Sequence, residues 1–226
     1  NKKAFCLAAN PNIAFDQIEI FQRKKRGIVQ SNIYSITAIK TLGKEIISTV
    51  KNDLKKITSK RKSICGLKFD NPQIMGALNI TPDSFSDGGL FFNDSKAYNQ
   101  AILMIKNGAT IIDVGGESTR PGSKTVKEKD EWNRIKNTII KLRKNFPKLP
   151  LSLDTRKSYV MKKGIENNIS IINDVSGLNF DNKSFDLINS KRIPFILHHM
   201  QGEPDTMQKN PKYDDVLLDI YDFFDE

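Results

Sequence analysis

From Ile74 onward the chain repeats one unit five times: a short unbroken apolar run, a polar loop, then a stretch with apolar residues three and four apart. Nothing else in the sequence constrains the fold as tightly. The apolar runs are Ile74–Ile80, Thr110–Val114, Leu151–Asp154, Ile169–Asp174 and Pro194–His198. Runs of Ile, Leu, Val and Phe without alternation are what strands covered on both faces require. Helices are predicted at about 95–107, 127–145, 157–167, 182–190 and from 213 to 226. The second carries Trp132, Ile135, Ile139 and Leu142 on one stripe and stops before Pro147. Strands alternating with helices imply a parallel α/β sheet, either open and doubly wound or closed into a (β/α)8 barrel. An open sheet of the dinucleotide-binding kind carries a Gly-rich fingerprint after its first strand. Gly88-Gly89 and Gly115-Gly116 have the wrong spacing for one. Instead, polar residues gather where each run ends: Asn79, Asp113 with Glu117, Asp154, Asn173 with Asp174, and His198 with His199. Strand ends meeting at one rim are how a barrel builds its active site. The expected fold is therefore α/β: about the first five strands of a TIM barrel at residues 61–226, preceded by an N-terminal extension at 1–60.

A chain of 226 residues is long enough for a sizeable core. Its net charge of +10 is unevenly placed: residues 1–72 hold 15 Lys/Arg against 5 Asp/Glu, and the rest is balanced at 21 against 21. The basic third contains a helix pattern, Ile39, Leu42, Ile46, Val50, Leu54 and Ile57, crowded by lysines 40, 44, 51, 55, 56, 60 and 62. A solvated face on a packed helix is the expectation there, because no aromatic residues are interleaved for stacking on nucleic acid. Alternation suggests strands at 14–21 and 27–36. Cys6 and Cys65 have no ligand-like spacing, so neither a zinc site nor a disulfide framework is indicated. No apolar run approaches a membrane span and no signal-peptide pattern opens the chain, so a cytoplasmic location is expected. The chain starts at Asn1 rather than Met, and a trimmed start is expected.

The strand ends offer carboxylates and amides but no activated nucleophile: there is no G-x-S-x-G and no Cys beside a His. Adjacent strand residues point to opposite faces, so only one of His198 and His199 faces the interior. "GGESTRPGS" (115–123) has no following Gly-Lys-Ser/Thr and is not a P-loop; its Gly, Ser and Pro content suits a closing lid. "NITPDSFSDGG" (79–89) raises the same question, since a plain connection needs only a handful of residues.

These two segments, with "IIDVGGESTRPG" (111–122), "SLDT" (152–155), "INDVSG" (172–177) and "HMQGEPDTMQ…PKYDDV" (199–216), closely resemble the dihydropteroate synthase family in order and spacing through residues 74–226. "LKFDNPQIMG" (67–76) looks like that family's N-terminal hairpin. The resemblance implies a TIM barrel that joins 4-aminobenzoate to 6-hydroxymethyl-7,8-dihydropterin diphosphate, making dihydropteroate for folate synthesis and releasing diphosphate. It implies Mg²⁺ as cofactor, with Asn79 on the metal side. Asp154 and Asn173 match the residues that pair with the pterin edge, and with Arg120 they form the catalytic set. Thr119, Phe85, Pro121 and Met200 match substrate-side positions; Phe85 and Pro121 would wall the aminobenzoate pocket, where sulfonamides also bind. Asp113 matches a family position but could equally serve the loops structurally. Both loops would be lids. A homodimer is the family expectation, while membrane association and nucleic-acid binding are not.

Three family motifs do not occur here: an Asp-Pro-Gly-rich sixth strand, a lysine after the seventh and an Arg-x-His at the eighth. The expectation is a partial sequence of a complete enzyme, inactive by itself and prone to aggregate through exposed strand edges. Two alternatives stay open: a related pterin-dependent methyltransferase, and a non-catalytic paralogue that binds pterin diphosphate or uses its basic N-terminus on nucleic acid.

Overall fold

The computed structural model describes residues 4–23, 29–81, 90–118, 125–203, 206–207 and 210–225. They fall into two units, 1–63 with 68–71 and 64–67 with 72–226.

In the first unit, β1 (Phe5–Cys6) pairs with β2 (Ala14–Phe15), and β3 (Gln17–Arg23) pairs antiparallel with β4 (Val29–Ser35) over their whole length. Alternation along β3 turns Ile18 and Ile20 toward a small core of Ile36, Ile39, Val50 and Leu54. The predicted helix pattern is split at Gly43. Residues Ile36–Thr41 form a 3₁₀ turn, capped by Ser35 accepting from the Ala38 amide, and α1 runs Lys44–Thr58. All seven lysines named above are exposed, and Ile57, at the end of the predicted stripe, is exposed as well.

The second unit opens with a tight turn. Cys65 and Gly66 both have positive φ, and Ile64 bridges to Leu67 on either side of them. The expected hairpin at 67–76 is thus a single bridge just ahead of that stretch. Five parallel strands follow in chain order: β5 (Met75–Asn79), β6 (Ile111–Gly115), β7 (Leu151–Asp154), β8 (Ile171–Asp174) and β9 (Phe195–Leu197). Between them lie α2 (Leu90–Lys106), α3 (Glu128–Asn145), α4 (Ser158–Glu166) and α5 (Ser184–Lys191), and α6 (Val216–Asp225) comes last. This is the β/α alternation of a TIM barrel, with five of its strands among the described residues. Helix α2 begins before the predicted start at Ser95, and Asp94, within it, accepts from Asn137 Nδ2 of α3 at 2.7 Å.

The outward strand residues Leu78, Ile112, Val114, Leu151, Leu153 and Ile172 meet Ala97 and Ala101 of α2, Ile135, Ile139 and Leu142 of α3, and Val160 and Met161 of α4. The stripe read from the sequence is therefore the buried face of α3. Helix α4 reaches the sheet through Gly164, where an added Cβ would overlap Leu153 Cδ2. Gly164→Ala is expected to destabilise the fold by about 1–3 kcal/mol, since overpacking outweighs alanine's better helix propensity. Urea denaturation measures it, and an unchanged or stabilised variant would contradict this packing.

Candidate functional site

The inner face of the sheet changes character along the strands. Its lower layer is apolar, with Ile111, Ile171 and Ile196 packed around Leu67. The next layer holds Asp113 beside Ser152. At the C-terminal rim the register places Asn79 beside Gly115, Gly115 beside Asp154, and Asp154 beside Asn173. Gly115 is the gap in that row. A Cβ there would lie 3.0 Å from Asn79 Oδ1 and 3.2 Å from Asp154 Oδ2. Asn79 and Asp154 thus lean over the same bare stretch of backbone.

A short polar chain continues the rim. Asn173 Nδ2 donates to Asp113 Oδ2 at 2.9 Å, and His198 Nε2 lies 2.6 Å from Asn173 Oδ1. Asp113 Oδ1 and Ser152 Oγ are buried and make no hydrogen bond of good geometry among the described residues. Unpaired buried acceptors are costly, and they are what a bound donor would satisfy. Burial raises the Asp113 pKa above the usual carboxylate range, against the easing effect of nearby Ser152, Asn173 and His198. Asp154 is pushed up to about 7 by burial first, then by the negative charges of Asp113, Glu131, Asp174 and Glu117. Near neutrality its carboxyl is divided between two protonation states.

The two histidines part company as strand geometry requires. His198 faces this chain of polar groups. His199 turns away, with Nε2 3.0 Å from Tyr213 Oη and its ring edge-on to Phe223 at 4.7 Å. Asp174 also points away from the site. One oxygen accepts from the Ser176 amide and hydroxyl, and the other from the Leu178 amide, which builds the loop after β8.

Beside the rim lies a buried ion network. Lys157 Nζ bridges Glu117 Oε2, at 2.6 Å, and Glu131 Oε2. Arg156 Nε donates to Glu117 Oε1 at 3.1 Å, while its Nη1 reaches Glu203 and its guanidinium lies 3.9 Å above the Phe180 ring. The Thr155 hydroxyl donates to Glu131 Oε1, and the Val126 amide to Glu117 Oε2. Burial pushes the Glu117 pKa up, but the Lys157 and Val126 hydrogen bonds and the two cations bring it below its ordinary value. At Glu131 burial prevails and the pKa is raised. The network ties the start of α3 to the segments after β6, β7 and β9. Among the described residues no cluster of three His, Cys, Asp or Glu could hold a metal, and no helix is long and apolar enough to cross a membrane.

Residues 75–226 match the model of the pterin binding enzyme family. The chain belongs to that family. Among curated proteins it is 42% identical over 157 residues to the dihydropteroate synthase of Haemophilus influenzae, and 42% identical over 160 residues to that of Escherichia coli K12. These alignments cover 70% and 71% of the chain and 56% of each relative, so the chain spans little more than half their length. Among solved structures it is similar to the Yersinia pestis dihydropteroate synthase in complex with a sulfonamide drug, with a TM-score of 0.64, 42% identity, and 70% of this chain and 57% of that one covered. It is also similar to the Clostridium difficile enzyme in the presence of pteroic acid (TM-score 0.62, 39% identity, 68% and 56% covered). A third likeness is to the Xanthomonas albilineans enzyme with 4-aminobenzoic acid (0.62, 37%, 70% and 55%).

Of the residues singled out from sequence, Asn79, Asp113, Asp154 and Asn173 come together on the rim. Met200 follows β9, half-buried, two residues past His198. Phe85, Thr119, Arg120 and Pro121 lie outside the described residues, as do the two expected lids for most of their length. Sequence reasoning passed over Lys157, Arg156 and Glu131. One clue was available: Glu131 sits four residues before Ile135 on the stripe that α3 buries, where a carboxylate needs a cationic partner.

Proposed function

We propose that this protein makes dihydropteroate from 6-hydroxymethyl-7,8-dihydropterin diphosphate and 4-aminobenzoate. The observation that carries the reading is the convergence of Asn79, Asp113, Asp154 and Asn173 on one rim in a chain of the pterin binding enzyme family. The pterin edge presents N–H donors; Asp113 Oδ1, buried with no hydrogen bond of good geometry among the described residues, and the Asp154 carboxylate, beside Asn173 on the rim, are acceptors to meet them. As the methylene carbon–oxygen bond to diphosphate breaks, positive charge develops at that carbon, and ionised Asp154 stabilises it. The aniline nitrogen of 4-aminobenzoate supplies the electron pair for the new carbon–nitrogen bond and then loses a proton. Diphosphate leaves with the electrons of the broken bond. No side-chain nucleophile is required, which fits a rim that offers none.

Asn79 suits the metal side of such a site. Its Oδ1 overhangs the Gly115 backbone where no Cβ intrudes, and a hard, largely hydrated cation takes an amide oxygen as one of few protein ligands. Mg²⁺ bound there would neutralise charge on the departing diphosphate. Thr119 and Arg120 are assigned to the substrates, Phe85 and Pro121 to the aminobenzoate wall, and Met200 to the substrate side. A cytoplasmic homodimer completes the reading.

Two measurements test it. The 226-residue chain should bind pteroic acid by calorimetry. Its complete reading frame should restore growth without added folate end products to a bacterium lacking dihydropteroate synthase, in a manner blocked by sulfonamide. Binding without rescue would point to the non-catalytic paralogue; neither binding nor rescue would end the proposal.

A further inference from the structure

We propose that His198 is a positioning residue that fixes the Asn173 amide as a hydrogen-bond donor toward whatever occupies the rim. The assignment follows from a chain of one-way constraints. The amide face turned to Asp113 is Nδ2, which donates to Asp113 Oδ2 at 2.9 Å. The opposite face, 2.6 Å from His198 Nε2, is therefore the amide oxygen. Oxygen there demands a hydrogen on Nε2, which sets the imidazole tautomer.

The consequence is a defined polarity for the site. Asn173 has one N–H engaged by Asp113 and its oxygen engaged by His198, which leaves its second N–H for a ligand. Asp113 Oδ1, buried and with no hydrogen bond of good geometry among the described residues, and the Asp154 carboxyl are the acceptors on either side. A ligand must then offer an acceptor to Asn173 and donors to its neighbours. With Asp113 alone the amide could swing about a single hydrogen bond; the second contact fixes its plane.

The backbone that carries the imidazole is well held. Gly177, at φ +61°, packs its bare Cα against the strand end, where a Cβ would lie 2.7 Å from the His198 carbonyl oxygen and 2.9 Å from Phe223 Cζ. On the other face His199 is anchored by Tyr213 and Phe223. The backbone carrying His198 is thus packed by Gly177 and, through His199, by Tyr213 and Phe223, and its ring has Asn173 as a target.

The ligand arm of the test rests on the pterin reading, whereas the tautomer arm does not. Nitrogen-15 correlation spectra of the 226-residue chain should show His198 protonated at Nε2; protonation at Nδ1 alone would overturn the proposal whatever the chain binds. With pteroic acid as probe, His198→Leu should weaken binding about tenfold, the loss of one buried hydrogen bond. His198→Gln, whose amide N–H can replace the imidazole N–H, should recover to within about threefold of the unsubstituted chain, with similar melting temperatures throughout. Unchanged binding in His198→Leu, or equal loss in both variants, would overturn the proposal. If the unsubstituted chain binds no pteroic acid, the pterin reading fails. The positioning role is then decided by the Asn173 side-chain amide protons, which should lose exchange protection in His198→Leu and keep it in His198→Gln.

Discussion

Replacing Lys157 with methionine is expected to lower the unfolding free energy by about 3–5 kcal/mol at pH 7, as when one partner of a buried ion pair is removed. Lys157 Nζ is the one cation placed between Glu117 and Glu131 by the described ion pairs, and all three side chains are buried. Methionine fills similar volume, so the loss reports charge and not a cavity. Arg156 would still hold Glu117, but among the described residues Glu131 would keep only the Thr155 hydroxyl. The sign with pH is definite. In the unsubstituted protein Glu117 lies below its ordinary value, so its contribution is present above the usual glutamate range and is lost as pH falls through the folded value. In Lys157→Met both glutamates lose the cation that favours their ionised form, so the deficit is full at high pH and shrinks as they take up protons. Adding Glu131→Gln removes the carboxylate left with least compensation, and should restore more than half of the loss. Urea denaturation between about pH 3 and pH 8 reads all of this. A deficit below about 1 kcal/mol, or one independent of pH, would mean the network is not dry.

The strand-and-helix alternation was legible because each apolar run needed burial on two faces, and the stripe of Trp132, Ile135, Ile139 and Leu142 is the face that α3 buries. The rim was legible for a similar reason. Asn79, Asp113, Asp154 and Asn173 are polar groups at the ends of apolar strands, and parallel register brings such ends side by side. What periodicity could not show is which groups pair across the site. The choice between His198 and His199 depends on strand phase, which two adjacent histidines leave open until Tyr213 and Phe223 claim one of them. The Gly115 gap was equally hidden. A glycine beside Gly116 in a loop-like sequence reads as flexibility, whereas here it closes a strand and makes room for Asn79 and Asp154. Lys157 escaped notice because one lysine among 36 basic residues carries no mark of burial until Glu117 and Glu131 are seen around it.

Asp154→Asn should separate function from stability. In the folded chain the Asp154 pKa is raised to about 7 from an ordinary 3.8. Between those values the folded state keeps a proton that the unfolded state has released. Stability from this source is therefore full below about pH 4 and lost as pH rises through about 7. Asparagine has no charge to bury and nearly the same shape. The variant should match the unsubstituted protein near pH 4 and exceed it by about 2–4 kcal/mol at pH 8, read as a higher urea midpoint. Ligand binding should move the other way. At pH 8 an ionised Asp154 accepts from the pterin edge, and charged hydrogen bonds of that kind are the strong ones. Asp154→Asn should then weaken pteroic acid binding by about 100-fold. Below pH 6 the unsubstituted Asp154 is itself protonated, so the gap in affinity should narrow. A stabilised variant that binds pteroic acid normally would place Asp154 outside the ligand site. A variant that loses binding without gaining stability at pH 8 would show instead that the carboxylate is solvated when ionised, and that its pKa is not raised in the folded chain.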